Sequence, residues 1–325
     1  MTQVYRIGLL GASRIARGAI FAPLRDDLRF VVSSVGARDP ERARAYAEKY
    51  AIPAVADDYA ALISRDDVDI IYNALPPAGH AQWTIAALQA GKAVLCEKPF
   101  ARNAAEAEAM VAAARIAGLP LLEAFHYRFH TVIRQAEDMV RQGALGALHT
   151  GAAEFNLSIP KSPGELRWSR EQGGGAMMDL GCYPLHAMRT LTGMEPEIAS
   201  AEAVFDHEGD GADAAMRAEL VFPGGVSASI ACSMIAEQRE IWLRLDGERG
   251  RIEISNFVAP QAGCRFVTTI DGETVEQPTV GSTTYAAQLD HLYDVMTGAA
   301  HPLTGGFDAI DTMTAIDAIY GAARG

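Results

Sequence analysis

Two stretches of this 325-residue chain hold side chains whose types and spacing can do chemistry. In Gly173-Gly174-Gly175-Ala176-Met177-Met178-Asp179-Leu180-Gly181-Cys182-Tyr183-Pro184-Leu185-His186, the residues Asp179, Tyr183 and His186 stand at i, i+4 and i+7. On a helix that spacing puts carboxylate, phenol and imidazole on one face. The plain alternative is a polar surface stripe, but Met178, Cys182 and Leu185 mark the helix as mostly buried. The second stretch is Glu97-Lys98-Pro99. A phenol keeps its proton up to about pH 10, and a neighbouring ammonium lowers that value by favouring the phenolate. Tyr183 and Lys98 are therefore candidates for a proton-carrying pair in alcohol–ketone chemistry, with Asp179 orienting the substrate or Tyr183. A lysine before a proline is, on its own, as often a solvated loop residue. Lys98, however, follows an apolar strand, and strand C-termini line the ligand crevice of a doubly wound sheet.

Such chemistry needs a hydride carrier, and Gly11-Ala12-Ser13-Arg14-Ile15-Ala16 offers a place for one. The turn follows an apolar run and opens a helical stretch, the context of a dinucleotide-binding fingerprint. Gly11 permits the tight turn, a small residue at 13 lets amides approach a pyrophosphate, and Ala16 keeps the helix close to the sheet. Ser13 stands where a second glycine is usual, so the turn alone is a weak signal, and an ordinary strand–turn–helix is the alternative. The end of the second strand reads Gly36-Ala37-Arg38-Asp39. Asp39 precedes Pro40 and is accounted for as an N-cap. Arg38 is then left to meet a 2′-phosphate with its planar fork, which favours NADP(H) over NAD(H); the alternative is a solvated arginine.

The elements that must position these residues alternate regularly. Strands are expected at 4–10, 30–36, 69–74, 93–96 and 119–123, with helices from about 15, at 41–50, 80–90 and 103–117. That alternation predicts a parallel, doubly wound sheet. Beyond residue 123 the pattern changes. A helix near 131–142 and an extended stretch at 148–158 precede a helix over 176–192. Residues 220–222 and 226–231 flank Pro223-Gly224-Gly225 as a hairpin. Stretches at 241–245, 251–255 and 265–270 alternate as strands, and helices near 284–297 and 307–323 close the chain. The expected organisation is α/β: a dinucleotide-binding domain over 1–123, then an α+β domain over 124–325 built on an open, mostly antiparallel sheet, with the last helix a candidate to pack back on the first domain. No internal repeat or low-complexity segment interrupts it.

Bulk properties bound the rest. Half the residues are apolar (49%) and 21% are charged, the balance of a globular protein with two cores. A net charge of −13 argues against nucleic acid as a partner. Cys96, Cys182, Cys232 and Cys264 are widely spaced, which argues against a zinc site and a disulfide framework and suits a reducing cytoplasm. No signal-peptide h-region and no membrane-spanning run is evident.

Taken together, the motifs resemble the glucose–fructose oxidoreductase/inositol dehydrogenase (Gfo/Idh/MocA) family over nearly the whole chain. The residues that carry the resemblance are the Gly11–Ala16 turn, Ala37-Arg38-Asp39, Pro76 with His80, Glu97-Lys98-Pro99, Glu123-Ala124-Phe125, Tyr127-Arg128-Phe129-His130, Arg167-Trp168, the Gly173–His186 segment and Gly250-Arg251-Ile252-Glu253. The likeness is greatest to the dihydrodiol dehydrogenase and NADP-dependent xylose dehydrogenase branch, where Tyr183 matches the family tyrosine and Lys98 the family lysine. It implies an oxidoreductase acting on CH–OH groups of a sugar, cyclic polyol or diol. Sugar 3-ketoreductases share the Lys/Tyr pair, so reduction of a keto-sugar or dicarbonyl is the alternative. A non-catalytic nicotinamide sensor, a third reading, needs neither Lys98 nor Tyr183. The cofactor contacts implied are Gly11, Ala12, Ser13, Arg14, Ile15, Arg38, Leu75, Pro76, His80, Glu97, Lys98, Arg128, Arg167 and Trp168. Phe155, Asn156 and His186 are substrate candidates, and Arg167 with Trp168 could equally anchor their loop. The family also implies a homodimer or homotetramer through the C-terminal sheet, and no metal. The chain departs from the branch at His126, where an apolar residue is frequent, at Thr131, where proline is, and at His186, which is not an expected proton donor and is read first as a structural histidine or a polar rim residue.

Overall fold

The computed structural model describes residues 3–206 and 211–325, and the strand and helix counts below are of those residues. They cluster into two units, one of Met1–Ala124 with Leu289–Ile310, the other of Phe125–Gln288 with Asp311–Gly325.

In the first unit, apolar runs too short for helices become strands buried on both faces. The elements are β1 (Tyr5–Leu10), β2 (Phe30–Gly36), α1 (Pro40–Tyr50), β3 (Ala54–Ala56), α2 (Tyr59–Ile63), β4 (Ile70–Asn73), α3 (His80–Gln89), β5 (Ala93–Cys96), α4 (Ala104–Ala117) and β6 (Leu121–Glu123). The six strands pair in the order β3-β2-β1-β4-β5-β6, all parallel. Chain order reverses between β1 and β4, and ligands of such sheets bind outside the strand C-termini at that switch point. Capping sets the helix limits as the sequence implies. Asp39 accepts from the amides of Glu41 and Arg42 with Pro40 at the first helical position, and Asn103 accepts from Glu106 while Gly118 ends α4 at φ +65°.

Three features of the first unit differ from the sequence reading. The short β3 and α2 were not expected; three residues of strand leave too little alternation to detect. The helix expected from about residue 15 is a five-residue π-turn, Arg17–Phe21, followed by a 3-10 turn, Pro23–Arg25. Pro23 has no amide hydrogen to continue a helical ladder. Residues 289–310, read from sequence as part of the second domain, cluster with the first unit. The Tyr5 hydroxyl donates to the Met296 carbonyl at 2.9 Å, and the Tyr293 ring stands edge-on to Tyr5 and Phe30. Thr304 bonds the Glu123 backbone through its hydroxyl (2.7 Å) and its carbonyl (3.3 Å).

The second unit holds α5 (Thr131–Arg141), β7 (Leu148–Ser158), α6 (Cys182–Thr192), β8 (Glu197–Phe205), β9 (Asp213–Phe222), β10 (Val226–Ser233), β11 (Ile235–Gly247), β12 (Gly250–Ser255), β13 (Phe266–Ile270) and β14 (Glu273–Gln277). The remaining helices are α7 (Thr284–Met296) and α8 (Phe307–Arg324), each divided between the two units. The eight strands run β14-β13-β12-β11-β7-β10-β9-β8; β7 and β10 are parallel and all other pairs antiparallel. Gly224 and Gly225, at φ +80° and +84°, make the β9–β10 turn that Pro223-Gly224-Gly225 predicts. One face of the sheet carries α6, and the contact is close. A Cβ on Gly151 would lie 2.8 Å from the Met188 sulfur, and one on Gly181 would lie 2.7 Å from the Cys232 sulfur. Among the described residues, no helix is long and apolar enough to cross a membrane.

Candidate functional site

In the first unit, the residues expected to hold a nucleotide gather at the C-terminal ends of β1, β2, β4 and β5. Gly11 has φ +90°, a conformation that L side chains avoid, and its amide donates to the Gly36 carbonyl at 2.8 Å. Below the turn, Ala12, Ala37 and Ala43 form a small core with Tyr46. Two residues of α1 that motif reading missed fix the turn from outside. Arg42 donates to the Ala12 carbonyl and the Tyr46 hydroxyl to the Ser13 carbonyl, each at 2.9 Å. Their only sequence signal is an i, i+4 spacing on α1, which also fits an ordinary helix surface. Arg14 and Ile15 are exposed, and Ala16 is fully buried. The Ser13 hydroxyl is shielded from water and has no hydrogen-bond partner among the described residues. A shielded polar atom calls for a partner, and a phosphate oxygen at this turn would supply one. The residues present thus fit a dinucleotide.

The Arg38/Asp39 pair is arranged as the sequence implies. Asp39 Oδ1 accepts from the amides of Glu41 (3.0 Å) and Arg42 (3.3 Å), which turns the acid toward α1. Arg38, one residue earlier, is exposed and makes no ion pair among the described residues.

Two expected cofactor contacts have other work. His80 is fully buried, with Nε2 2.8 Å from the Leu75 carbonyl and Nδ1 2.9 Å and 3.3 Å from those of Pro99 and Phe100. Burial pushes its pKa down while the three carbonyls pull it up. His80 is therefore a clamp joining the Leu75–Pro76 loop to the Pro99–Phe100 loop, and a cofactor contact through its ring nitrogens is corrected to this role. Glu97 is also turned inward. Its carboxylate accepts from the Tyr72 hydroxyl at 2.5 Å and from the Lys98 amide at 3.3 Å. It shapes the loop on which the half-buried Lys98 stands.

In the second unit the centre is Tyr183, 4% exposed and in the first turn of α6. Phe125, Tyr127 and Phe155 stand edge-on to its ring at 5.5, 5.7 and 5.6 Å. Its hydroxyl is 3.1 Å from His126 Nε2. His186 is buried, stacked on Phe125 at 4.1 Å, with Nδ1 2.6 Å from the Tyr127 hydroxyl. Its ring is held on one face and at one nitrogen, which suits the structural role expected of it more than a substrate contact.

The loop before Tyr183 explains the three glycines. Gly173 turns at φ +80°. A Cβ on Gly174 would lie 2.5 Å from the Arg167 carbonyl oxygen, and one on Gly175, at φ +128°, would lie 2.1 Å from Asp213 Oδ1. Asp213 accepts from the Met177 amide (2.7 Å) and the Tyr320 hydroxyl (2.6 Å). Met177 opens a π-turn, Met177–Gly181, that leads into α6, where one regular helix was expected. Burial raises the Asp213 pKa against these two bonds.

The remaining expected contacts divide. Asp179 lies 3.8 Å from an Arg167 nitrogen, and Arg167 is bound mainly to Glu165 at 2.8 Å and 2.9 Å. Trp168 donates to the Ile159 carbonyl at 3.0 Å, under the Lys161 ammonium at 5.0 Å. These bonds suit the loop-anchoring alternative for both residues. Arg128, expected to contact the cofactor, makes a two-point ion pair with Glu137 at 2.8 Å and 2.7 Å. Phe155 and Asn156 cannot share a site, since neighbouring strand residues point to opposite faces. Phe155 meets Tyr183, whereas Asn156 bonds Glu154 at 2.7 Å. No group of His, Cys, Asp and Glu among the described residues has the arrangement to hold a metal ion.

Comparison with known proteins gives matches along the whole chain. Residues 5–125 match the model of an oxidoreductase family with an NAD-binding Rossmann fold, and residues 133–253 match the GFO/IDH/MocA C-terminal domain. A dTDP-3,4-didehydro-2,6-dideoxy-alpha-D-glucose 3-reductase from Actinomadura kijaniata is 31% identical over 98% of this chain and 96% of its own. A D-xylose 1-dehydrogenase (NADP(+)) from Haloferax volcanii is 29% identical over 98% of this chain and 97% of its own. The crystal structure of an aldose–aldose oxidoreductase from Caulobacter crescentus, complexed with glycerol, superposes with a TM-score of 0.91 at 30% identity, covering 99% of this chain and 98% of that one.

Proposed function

Since the chain belongs to the GFO/IDH/MocA family of oxidoreductases, we propose that it transfers hydride between NADP(H) and the carbinol or carbonyl carbon of a sugar, cyclic polyol or diol, with Tyr183 carrying the proton and Lys98 assisting. The observation that carries the cofactor choice is the division of labour between Asp39, engaged as an N-cap, and Arg38, exposed and without an ion pair. A guanidinium fork there suits a 2′-phosphate. The substrate class is supported by the full-length relatives named for xylose and for a keto-sugar.

When bound, the nicotinamide gives or takes the hydride. The chain's own residues do the rest. The Gly11–Ile15 amides and the Ser13 hydroxyl hold the pyrophosphate, and Lys98 favours the ionised form of Tyr183 by its charge. Tyr183 exchanges a proton with the substrate oxygen from within its aromatic wall, and Asp179 orients the substrate. Reduction of a keto-sugar is the second reading, favoured by the 31% identical 3-reductase.

The test is steady-state turnover with NADP+ and a panel of aldoses and diols, against NADPH and a panel of keto-sugars and dicarbonyls. Turnover in the first arm supports oxidation of the alcohol; turnover confined to the second supports the reductase reading. Wild-type Kd values equal for NAD+ and NADP+ would end the cofactor proposal, and undiminished turnover in Tyr183→Phe would end the proton assignment. The face of the eight-stranded sheet away from α6, which bears Glu154, Asn156, Trp242 and Arg244, is proposed as the face of a homodimer or homotetramer. Light scattering of the purified protein as a monomer at micromolar concentration would rule that out.

A further inference from the structure

His126 and Tyr183 come together from different elements of the second unit, His126 from the 3-10 turn His126–Phe129 and Tyr183 from α6. His126 is 5% and Tyr183 4% exposed, with Nε2 3.1 Å from the phenol oxygen. The other titratable groups facing the pair are arranged differently. Tyr127, edge-on to Tyr183, has its hydroxyl on His186 Nδ1 at 2.6 Å. Tyr285 of α7 meets the His126 ring at 4.1 Å and 37°, ring against ring. Asp179, four residues before Tyr183, lies beside Arg167. The His126 Nε2 atom is a basic nitrogen within hydrogen-bond reach of the phenol oxygen. With the phenol donating to Nε2, the ring proton sits on Nδ1.

We infer that His126 is a positioning residue that takes up the phenol proton of Tyr183 as Tyr183 takes the proton of the substrate hydroxyl. The inference rests on the role proposed for Tyr183 above. In the oxidising direction, the substrate C–H bond breaks and its electron pair leaves with the hydrogen to NADP+. The substrate O–H proton passes to the Tyr183 oxygen, and the phenol's own proton passes to His126 Nε2. The products are the carbonyl, NADPH and one proton, which His126 holds as imidazolium. Reduction runs the same steps backward and starts from imidazolium. The physical gain is that Tyr183 passes its own proton on as it receives one, so the phenolate that the Lys98 charge favours need exist only in transit. An imidazole also changes charge near neutral pH, about 6.5 unperturbed, whereas a phenol does so near 10.

The test combines His126→Gln, which can still accept a hydrogen bond but cannot titrate, with Tyr183→Phe. His126→Asn serves if the glutamine variant does not fold. In wild type, kcat for oxidation of the fastest panel substrate with NADP+ falls about tenfold per pH unit on the acid side of the imidazole titration. His126→Gln loses that limb and keeps a turnover about ten- to a hundredfold lower. In the ligand-free protein, the His126 Hε1 NMR resonance, assigned by its loss in His126→Gln, titrates at higher pH in Tyr183→Phe, because the phenol donor favours the neutral ring. An acid limb that persists in His126→Gln, or a His126 titration that Tyr183→Phe leaves in place, overturns the inference. The resonance needs neither substrate nor cofactor, so it reads the pair independently. The role of Tyr183 itself falls separately, if Tyr183→Phe turns over like wild type.

Discussion

Replacing Gly175 by alanine tests how the loop before α6 is held. The added Cβ would sit 2.1 Å from Asp213 Oδ1 and 2.9 Å from the Tyr320 hydroxyl, at a φ of +128°. Holding a non-glycine residue in such a conformation costs about 1–3 kcal/mol. Asp213 must also move, and its two donors, the Met177 amide and the Tyr320 hydroxyl, lose their acceptor. Each buried donor left unpaired costs about 1–3 kcal/mol. Partial relaxation brings the total to about 3–6 kcal/mol, a large share of a typical stability of about 5–15 kcal/mol. Gly193, at the other end of α6, is the control: its φ is +66°, and nothing lies within 4 Å of its added Cβ. Alanine there costs the backbone share alone, about 1–2 kcal/mol. At about 2–4 °C per kcal/mol for a unit of this size, Gly175→Ala lowers Tm by about 6–24 °C and Gly193→Ala by about 2–8 °C. Calorimetry with near-ultraviolet circular dichroism reads both. Because Met177 leads toward Asp179 and Tyr183, Gly175→Ala also lowers kcat while the Kd for NADP+ holds. Equal melting of the two variants would refute the argument that Asp213 is the obstacle.

Four further outcomes are expected. Arg38→Ala weakens NADP+ about ten- to a hundredfold, as loss of a charge-assisted pair worth about 1.5–3 kcal/mol requires, and leaves the Kd for NAD+ within about twofold, read by cofactor fluorescence titration. Arg42→Ala loosens the turn through Ala12 and weakens both cofactors together; a selective effect on NADP+ would mean that Arg42 touches the phosphate itself. Tyr72→Phe leaves the buried Glu97 carboxylate short of a donor, and it lowers both Tm and turnover, measured by thermal shift and steady-state rates. Asp213 has its folded pKa raised above the unfolded 3.8, so its contribution to stability is full below 3.8 and declines as pH rises through the raised value. Urea unfolding should therefore find Asp213→Asn less destabilising at pH 7 than at pH 4.

The sequence made the first unit easy to read because its signals are local. Asp39-Pro40, Asn103 and Gly118 each act within a turn of their own helix, and four-residue apolar runs such as Ala93–Cys96 have no other way to be buried in a parallel sheet. The family followed from motifs in order, and the chain's matches agree with it. The sequence could not show which polar residues are already occupied. Arg128, a cofactor contact by the resemblance, and Glu137 are nine residues apart, and no local signal pairs them before α5 brings them together. His80 looks like a ligand contact until three carbonyls close on its ring. Asn156 stands next to Phe155 in sequence, and the strand sends it to the opposite face. The same blindness hid Arg42 and Tyr46, whose role depends on how close α1 comes to a turn some thirty residues earlier.

The discontinuity of the first unit has a consequence at the ribosome. Tyr5, Phe30 and the Glu123 backbone complete their contacts with Tyr293, Met296 and Thr304, which are translated only after nearly all of the second unit. At about 5–20 residues per second, that is a wait of roughly 9–36 s after Ala124 is added. During that interval the nascent nucleotide-binding sheet lacks its last apolar cover. It is then a natural client for a chaperone, and its N-terminal fragment alone would be a poor surrogate for the folded domain.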